Sequence, residues 1–312
     1  MGVKKRDFLC LYDFSTKELN EILDLATNVK KRPNLYKNAF QGKTFALIFE
    51  KPSLRTKATF EIGIMQMGGH VIYFSPSEFQ LGRREAVSDV AKNLERWVDG
   101  IICRTFGHNI IETLARNCSK PVINALTDLS HPCQALSDYF TIREHKHKLK
   151  GLKLAYVGDG NNVCHSLIYG AAKFGVEINI ATPRGYEPKA DVVKNAYADA
   201  VANGVNIELT NDPIAAVNNV DVVYTDVWTS MGQESETAKR RQVFAPYQVN
   251  TRLMAFAKKD AIFMHCLPAH RGEEVTDEVI DSEQSIVFDQ AENRLHVQKA
   301  ILLYIYGIKR KR

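Results

Sequence analysis

The 312-residue sequence has no C-x-x-C pair among its six cysteines, at positions 10, 103, 118, 133, 164 and 266. Without that spacing there is no zinc knuckle and no redox dithiol to build. A reducing cytoplasm is the expected home. No apolar run approaches the length of a membrane span, and no secretory apolar region opens the chain. Gly2 follows Met1, yet position 6 is Arg, so the myristoylation pattern fails. Neither sign of charge dominates: 41 Lys and Arg stand against 36 Asp and Glu, a net +5. The cations are scattered, whereas a nucleic-acid protein gathers them on one face. The runs 4–6 and 309–312 are basic but read as solvated ends. Repeats, low-complexity segments and long linkers are also missing. Neither a membrane nor a nucleic acid is therefore expected as a partner.

What is present is a globular profile, 45% hydrophobic and 25% charged, on a chain long enough for two domains. Apolar strand-like runs alternate with helical patterns, which predicts a parallel α/β architecture. Strands are expected near 44–49, 71–75, 100–104 and 122–126, then near 152–157, 176–181, 206–209, 221–226 and 261–266, with a short one at 285–288. Helices are expected near 54–67, 88–98, 110–117, 132–147 and 292–306. The junction falls near 140–150. Segment 229–245, with mixed charges and little apolar periodicity, reads as a mobile loop.

Ligands of open α/β sheets sit beyond the carboxyl ends of strands, so polar residues there carry the functional reading. Ser53-Leu54-Arg55-Thr56 follows the run 44–49 and precedes a helical pattern, with Ser53 as the expected N-cap. Free first-turn amides, Arg55 and two hydroxyls make a phosphate cradle, although an ordinary capped turn has the same shape. Arg104 ends the run 100–103 and suits an anion clamp or a surface ion pair. His131 precedes Pro132 at a helix start, where a neutral imidazole is favoured and still donates one N–H. Gly158-Asp159-Gly160-Asn161-Asn162 invites a dinucleotide reading. Val163 stands where the third glycine belongs, and Thr182-Pro183 offers no ribose acid. Asn162 instead suits a small ligand. Asp226 ends the run 222–225 and fits either an ammonium group or a helix cap. His265 and Cys266 alternate faces at a strand end, and no fourth ligand lies at useful spacing, so no metal is expected.

In this order these pieces resemble the aspartate/ornithine carbamoyltransferase family, from Phe49-Glu50-Lys51 to Gln298-Lys299-Ala300. The first half carries Ser53-Leu54-Arg55-Thr56, Arg104-Thr105-Phe106-Gly107-His108 and His131-Pro132-Cys133-Gln134. The second carries Asp226-Val227-Trp228-Thr229-Ser230-Met231-Gly232 and His265-Cys266-Leu267-Pro268. Leu54 departs from the family's usual Thr and removes one hydroxyl. It also occurs in an acylated-ornithine branch.

The resemblance implies two doubly wound parallel-sheet domains with the active site in the cleft between them. Residues 1–145 would bind carbamoyl phosphate, helix 292–312 would pack back on them, and 146–291 would bind L-ornithine. The implied carbamoyl phosphate residues are Ser53, Leu54, Arg55, Thr56, Gln80, Arg104, His131, Gln134 and Arg294. The implied ornithine residues are Asn162, Asp226, Ser230, Met231, Cys266 and Leu267. Arg104, His131, Cys266 and Asp226 would be catalytic. Gln80 would serve a neighbouring subunit's site, implying a homotrimer or a multiple of one. The implied reaction carbamoylates the δ-amine of L-ornithine and needs no metal or organic cofactor. Putrescine or an N-acylated ornithine is the alternative acceptor.

Overall fold

The computed structural model describes residues 5–77, 80–230 and 232–308. It divides into two compact units, Met1–Phe140 with Glu292–Arg312, and Thr141–Ala291.

The first unit holds a parallel sheet of β1 (Thr44–Phe49), β2 (His70–Phe74), β3 (Gly100–Arg104) and β4 (Val122–Leu126), in the order β2-β1-β3-β4. β3 and β4 are buried throughout, and β1 beyond Thr44, because a parallel sheet is covered on both faces. β2 lies at the edge and is only half-buried. The far edge, β4, is covered by the N-terminal segment: Phe8 N donates to Val122 O and Asn124 N to Phe8 O. Helices α1 (Thr16–Lys31), α2 (Arg55–Gln66), α3 (Val87–Trp97) and α4 (His108–Asn117) complete the unit. The strand order reverses at β1, so right-handed crossovers place α2 on one face and α3 and α4 on the other.

Helix α1 was not among the expected elements. Its signal is the capping box Ser15-x-x-Glu18, in which Ser15 Oγ accepts from Glu18 N and Glu18 Oε2 accepts from Ser15 N. Such a cap contributes about 1 kcal/mol. The buried stripe of Leu19, Ile22, Leu23 and Ala26 fixes the helix on its unit.

The second unit holds β5 (Lys153–Val157), β6 (Glu177–Ala181), β7 (Ile207–Thr210), β8 (Val222–Thr225) and β9 (Ile262–His265), all parallel, in the order β7-β6-β5-β8-β9. The order reverses between β5 and β8, and the crevice at such a switch point is where ligands of this architecture bind. Helix α5 (Pro132–Lys146) runs across the division between the units. Within the second unit follow α6 (Asn162–Phe174), α7 (Ala190–Asn203), α8 (Pro213–Val217), α9 (Thr237–Phe244), α10 (Thr251–Met254) and α11 (Asp277–Ile280).

Two expectations are corrected. The strand near 285–288 is a single bridge between Ser285 and Phe263, and helix α12 (Val287–Ile305) starts there instead. Its β-branched residues Ile286 and Val287 pack as a helix start, a case of context overriding propensity. The loop 229–245 contains the 3-10 turn Glu234–Glu236 and α9. No apolar stripe announces α9, because the residues it buries are Arg240 and Phe244. From Glu292 onward α12 belongs to the first unit, where Tyr306 packs edge-on against Phe40 and Phe45. Among the described residues no helix is long and apolar enough to cross a membrane.

Candidate active site

In the first unit the residues expected to form the phosphate cradle follow the carboxyl ends of β1, β3 and β4. Helix α2 begins at Arg55, with Leu54 rather than Ser53 in the N-cap position and no side-chain capping bond. The expected cap is thus displaced by one residue, because Leu54 already has helical dihedrals (φ −76°, ψ −63°) and its carbonyl accepts from Ala58 N. Leu54 itself is 77% exposed, so its side chain adds nothing polar to the first turn. Thr56 is buried, and its hydroxyl accepts from Arg294 Nη2 at 3.0 Å. Arg294 also donates to Gln134 Oε1, and Gln134 Nε2 donates to Asp138 Oδ1 at 2.8 Å.

Arg104 is 6% exposed, which rules out the surface ion pair, and the β3–β4 register shifts between Cys103 and Arg104. His131 is likewise buried. Burial first, then the nearby Arg294 and Arg104, hold its imidazole well below the usual histidine range. A neutral ring facing two guanidiniums is a hydrogen-bond donor suited to an oxygen gaining charge. Accordingly, ¹⁵N NMR of His131 should show a neutral imidazole throughout pH 6–8. A protonation step near 6.5 would contradict this electrostatic picture.

Two residues of this unit were given no role by the sequence reading. Lys51 Nζ lies 2.5 Å from Asp128 Oδ1 and 4.3 Å above the Phe106 ring, tying together the turns after β1, β3 and β4. Glu50 accepts from Leu81 N at 2.7 Å and from the Thr105 hydroxyl, anchoring the segment that follows Gln80. Gln80 is not brought to the cradle by its hydrogen bond: it is exposed and donates to Pro76 O at 3.3 Å.

In the second unit Asp226 sits at the end of β8, beside the switch point, and is 6% exposed. Its Oδ1 accepts from Val227 N at 2.8 Å and from Cys266 Sγ at 3.0 Å, and its Oδ2 accepts from Asn161 Nδ2 at 2.8 Å. Asn161, which the sequence reading gave no role, thus reaches Asp226, while its Oδ1 caps α6 through Val163 N and Cys164 N. Asn162 is half-buried on the first turn of α6. Ser230 is half-buried, with its N–H directed to Gln233 Oε1 at 3.2 Å. Met231 lies outside the described residues. Leu267 is half-buried with φ +57°, a costly conformation for a side chain of this size.

The turn around Leu267 is held from behind by His265 and Glu274, both fully buried. His265 Nδ1 accepts from Leu267 N at 2.8 Å, its Nε2 faces Glu274 Oε1 at 3.1 Å, and Glu274 also accepts from His270 N. Asp226, His265 and Cys266 offer three donor atoms within 4.8 Å of one another. Both ring nitrogens of His265 are committed to this scaffold, so the donor set suits a hydrogen-bond network rather than a metal cage. The 158–162 turn likewise does not fit a pyrophosphate. Gly160 N donates to Tyr186 O, and a Cβ at Gly160 would lie 2.3 Å from Pro188 N. The chain at 186–188 thus covers the turn where a dinucleotide would bind.

Comparison with known proteins agrees with this geometry. Residues 6–144 match the carbamoyl-P binding domain, and residues 150–305 the Asp/Orn binding domain, of aspartate/ornithine carbamoyltransferase. The chain is 54% identical over 304 residues to the ornithine carbamoyltransferase of Thermococcus kodakarensis, covering 97% of this chain and 96% of that one. It is 54% identical over 297 residues to that of Bacillus subtilis, covering 95% and 92%. The solved ornithine carbamoyltransferase of Pyrococcus furiosus superposes with a TM-score of 0.94 at 50% identity, covering 98% of this chain and 99% of that one. With both halves matched in order and nearly end to end, the chain belongs to the aspartate/ornithine carbamoyltransferase family.

Proposed function

We propose that this protein transfers the carbamoyl group of carbamoyl phosphate to the δ-amine of L-ornithine, giving L-citrulline and phosphate for arginine metabolism. The observation that carries the reading is the end-to-end similarity, at about half of all positions, to proteins named ornithine carbamoyltransferase. Ser53, Arg55, Thr56 and the first-turn amides of α2, Leu54 included, hold the phosphate. Arg104 and His131, with the Thr56 hydroxyl, donate to the carbonyl oxygen as it becomes an oxyanion. Gln134, oriented by Arg294, receives the carbamoyl amide. Each oxyanion donor contributes about 3–4 kcal/mol to lowering the barrier.

In the second unit Asn162, Ser230, Met231 and Leu267 hold the amino-acid end of ornithine, with Asp226 and Cys266 on its amines. A free alkylamine is mostly protonated near neutral pH, so the δ-amine must shed a proton before it attacks. The amine then adds to the carbonyl, a tetrahedral intermediate forms, and the C–O bond to phosphate breaks. The protein works in the cytoplasm as a homotrimer or a multiple of one, with Gln80 lent to a neighbouring copy. Mass photometry giving monomers at working concentration would overturn the assembly.

The test of the reaction is a colorimetric citrulline assay run with L-ornithine, putrescine and N-acetylornithine. Ornithine is expected to be preferred by at least tenfold. A higher kcat/KM with either rival would replace the proposed acceptor. Cys266 is read as a positioning and proton-handling group, because its thiol is the donor in the bond to Asp226. Cys266→Ser should weaken the ornithine KM while retaining measurable turnover. A carbamoylated Cys266 trapped by mass spectrometry, forming at the turnover rate, would make the mechanism ping-pong.

A further inference from the structure

Helix α9 carries three consecutive cations, Lys239, Arg240 and Arg241, of which Arg240 is only 5% exposed. Burying a guanidinium is costly unless every donor is matched. Here Nη1 donates to Asp159 Oδ2 and to the Trp228 carbonyl, and Nε donates to Glu236 Oε2, each at 2.9 Å. The guanidinium also lies 4.9 Å from the Tyr186 ring centroid and 5.9 Å from that of Phe244. Trp228 and Glu236 flank the loop that contains Ser230 and Gly232. Asp159 lies in the turn after β5, and that same turn supplies Asn161 to Asp226. The close approach at Gly160 is what brings Tyr186 over the cation.

We propose that Arg240, locked to Asp159, is a positioning residue for the amino-acid loop: it clasps both ends of segment 228–236 to the turn after β5 and thereby sets the affinity for ornithine. The inference rests on the reading of this loop as part of the ornithine site. It assigns the affinity to residues outside the expected ornithine set. The clasp is also sensitive to acid. Burial first pushes the Asp159 carboxyl up to about 6, Arg240 opposes that shift, and Asp226 and Glu236 reinforce it. Tyr156 and Cys164 also face Asp159. As pH falls through that value Asp159 takes up a proton, its pair with Arg240 weakens, and the loop is released.

The experiment uses the full chain with Asp159→Asn, Arg240→Lys and the double variant. Hydrogen exchange of segment 228–236, read by mass spectrometry without substrate, should quicken at least tenfold in Asp159→Asn. In the wild type the same segment should loosen below about pH 6 after correction for intrinsic exchange, and the variant should lose that step. The ornithine KM should rise at least tenfold in either single variant, the carbamoyl phosphate KM should stay within twofold, and the double variant should be no worse than the worse single one. Asp159→Asn is isosteric and keeps the test valid if Arg240→Lys does not fold. Unchanged exchange with an unchanged ornithine KM, or equal rises in both KM values, overturns the clasp. A wild type that forms no citrulline from ornithine sinks the functional reading instead, and exchange still decides the clasp.

Discussion

Arg55→Ala should lower kcat/KM for carbamoyl phosphate by about 10³-fold, the upper end of what one transition-state donor contributes. Arg55 opens α2, and in the proposed cradle its cation would meet the phosphate dianion both before and after the C–O bond breaks. Phosphate binding and leaving-group stabilisation therefore fall together. The fold should survive. The backbone carbonyl of Arg55, which accepts from Thr59 Oγ1 at 2.7 Å, is retained in the variant. A half-buried side chain at a helix start is also not a core element, so the stability change should stay below about 1 kcal/mol. Steady-state kinetics beside a thermal melt separate the two effects. Near-normal kcat/KM in a folded Arg55→Ala protein would remove the cradle from the account.

Asp226→Asn should be nearly as damaging, on the other substrate. The carboxylate accepts from Asn161 and Cys266 at once. An asparagine keeps the shape but loses the charge and turns one acceptor into a donor. Hydrogen bonds to a charged group contribute about 1.5–3 kcal/mol each. Kinetics should show kcat/KM for ornithine falling by about 10²–10³-fold, with the carbamoyl phosphate KM changed less than threefold. Equal losses for both substrates would mean that Asp226 supports the fold rather than the amine.

These two positions were legible in the sequence because each follows an apolar run that can only be a buried strand. A strand end fixes where the next polar side chain stands. The same logic located Arg104, His131 and Cys266. What stayed hidden depends on contacts between segments far apart in the chain. Lys51 meets Asp128 across 77 residues, and Asp159 meets Arg240 across 81. Neither pair has a spacing that a linear pattern records. Asn161 was given no role because its bond to Asp226 spans 65 residues and depends on where α6 starts. Helix α9 was hidden for the opposite reason: it is held by a buried ion pair and aromatic rings, so it lacks the apolar stripe that announces most helices.

The central claim is that the δ-nitrogen of ornithine attacks the carbonyl carbon while phosphate departs with the bridging oxygen. It is tested most directly by giving the enzyme carbamoyl phosphate labelled with ¹³C at the carbonyl and ¹⁸O at the bridging position, together with L-ornithine labelled with ¹⁵N at the δ position. The account predicts a one-bond ¹³C–¹⁵N coupling in citrulline, seen by NMR, and ¹⁸O recovered wholly in phosphate by mass spectrometry. A product without that coupling, or ¹⁸O retained on the carbonyl carbon, would contradict it.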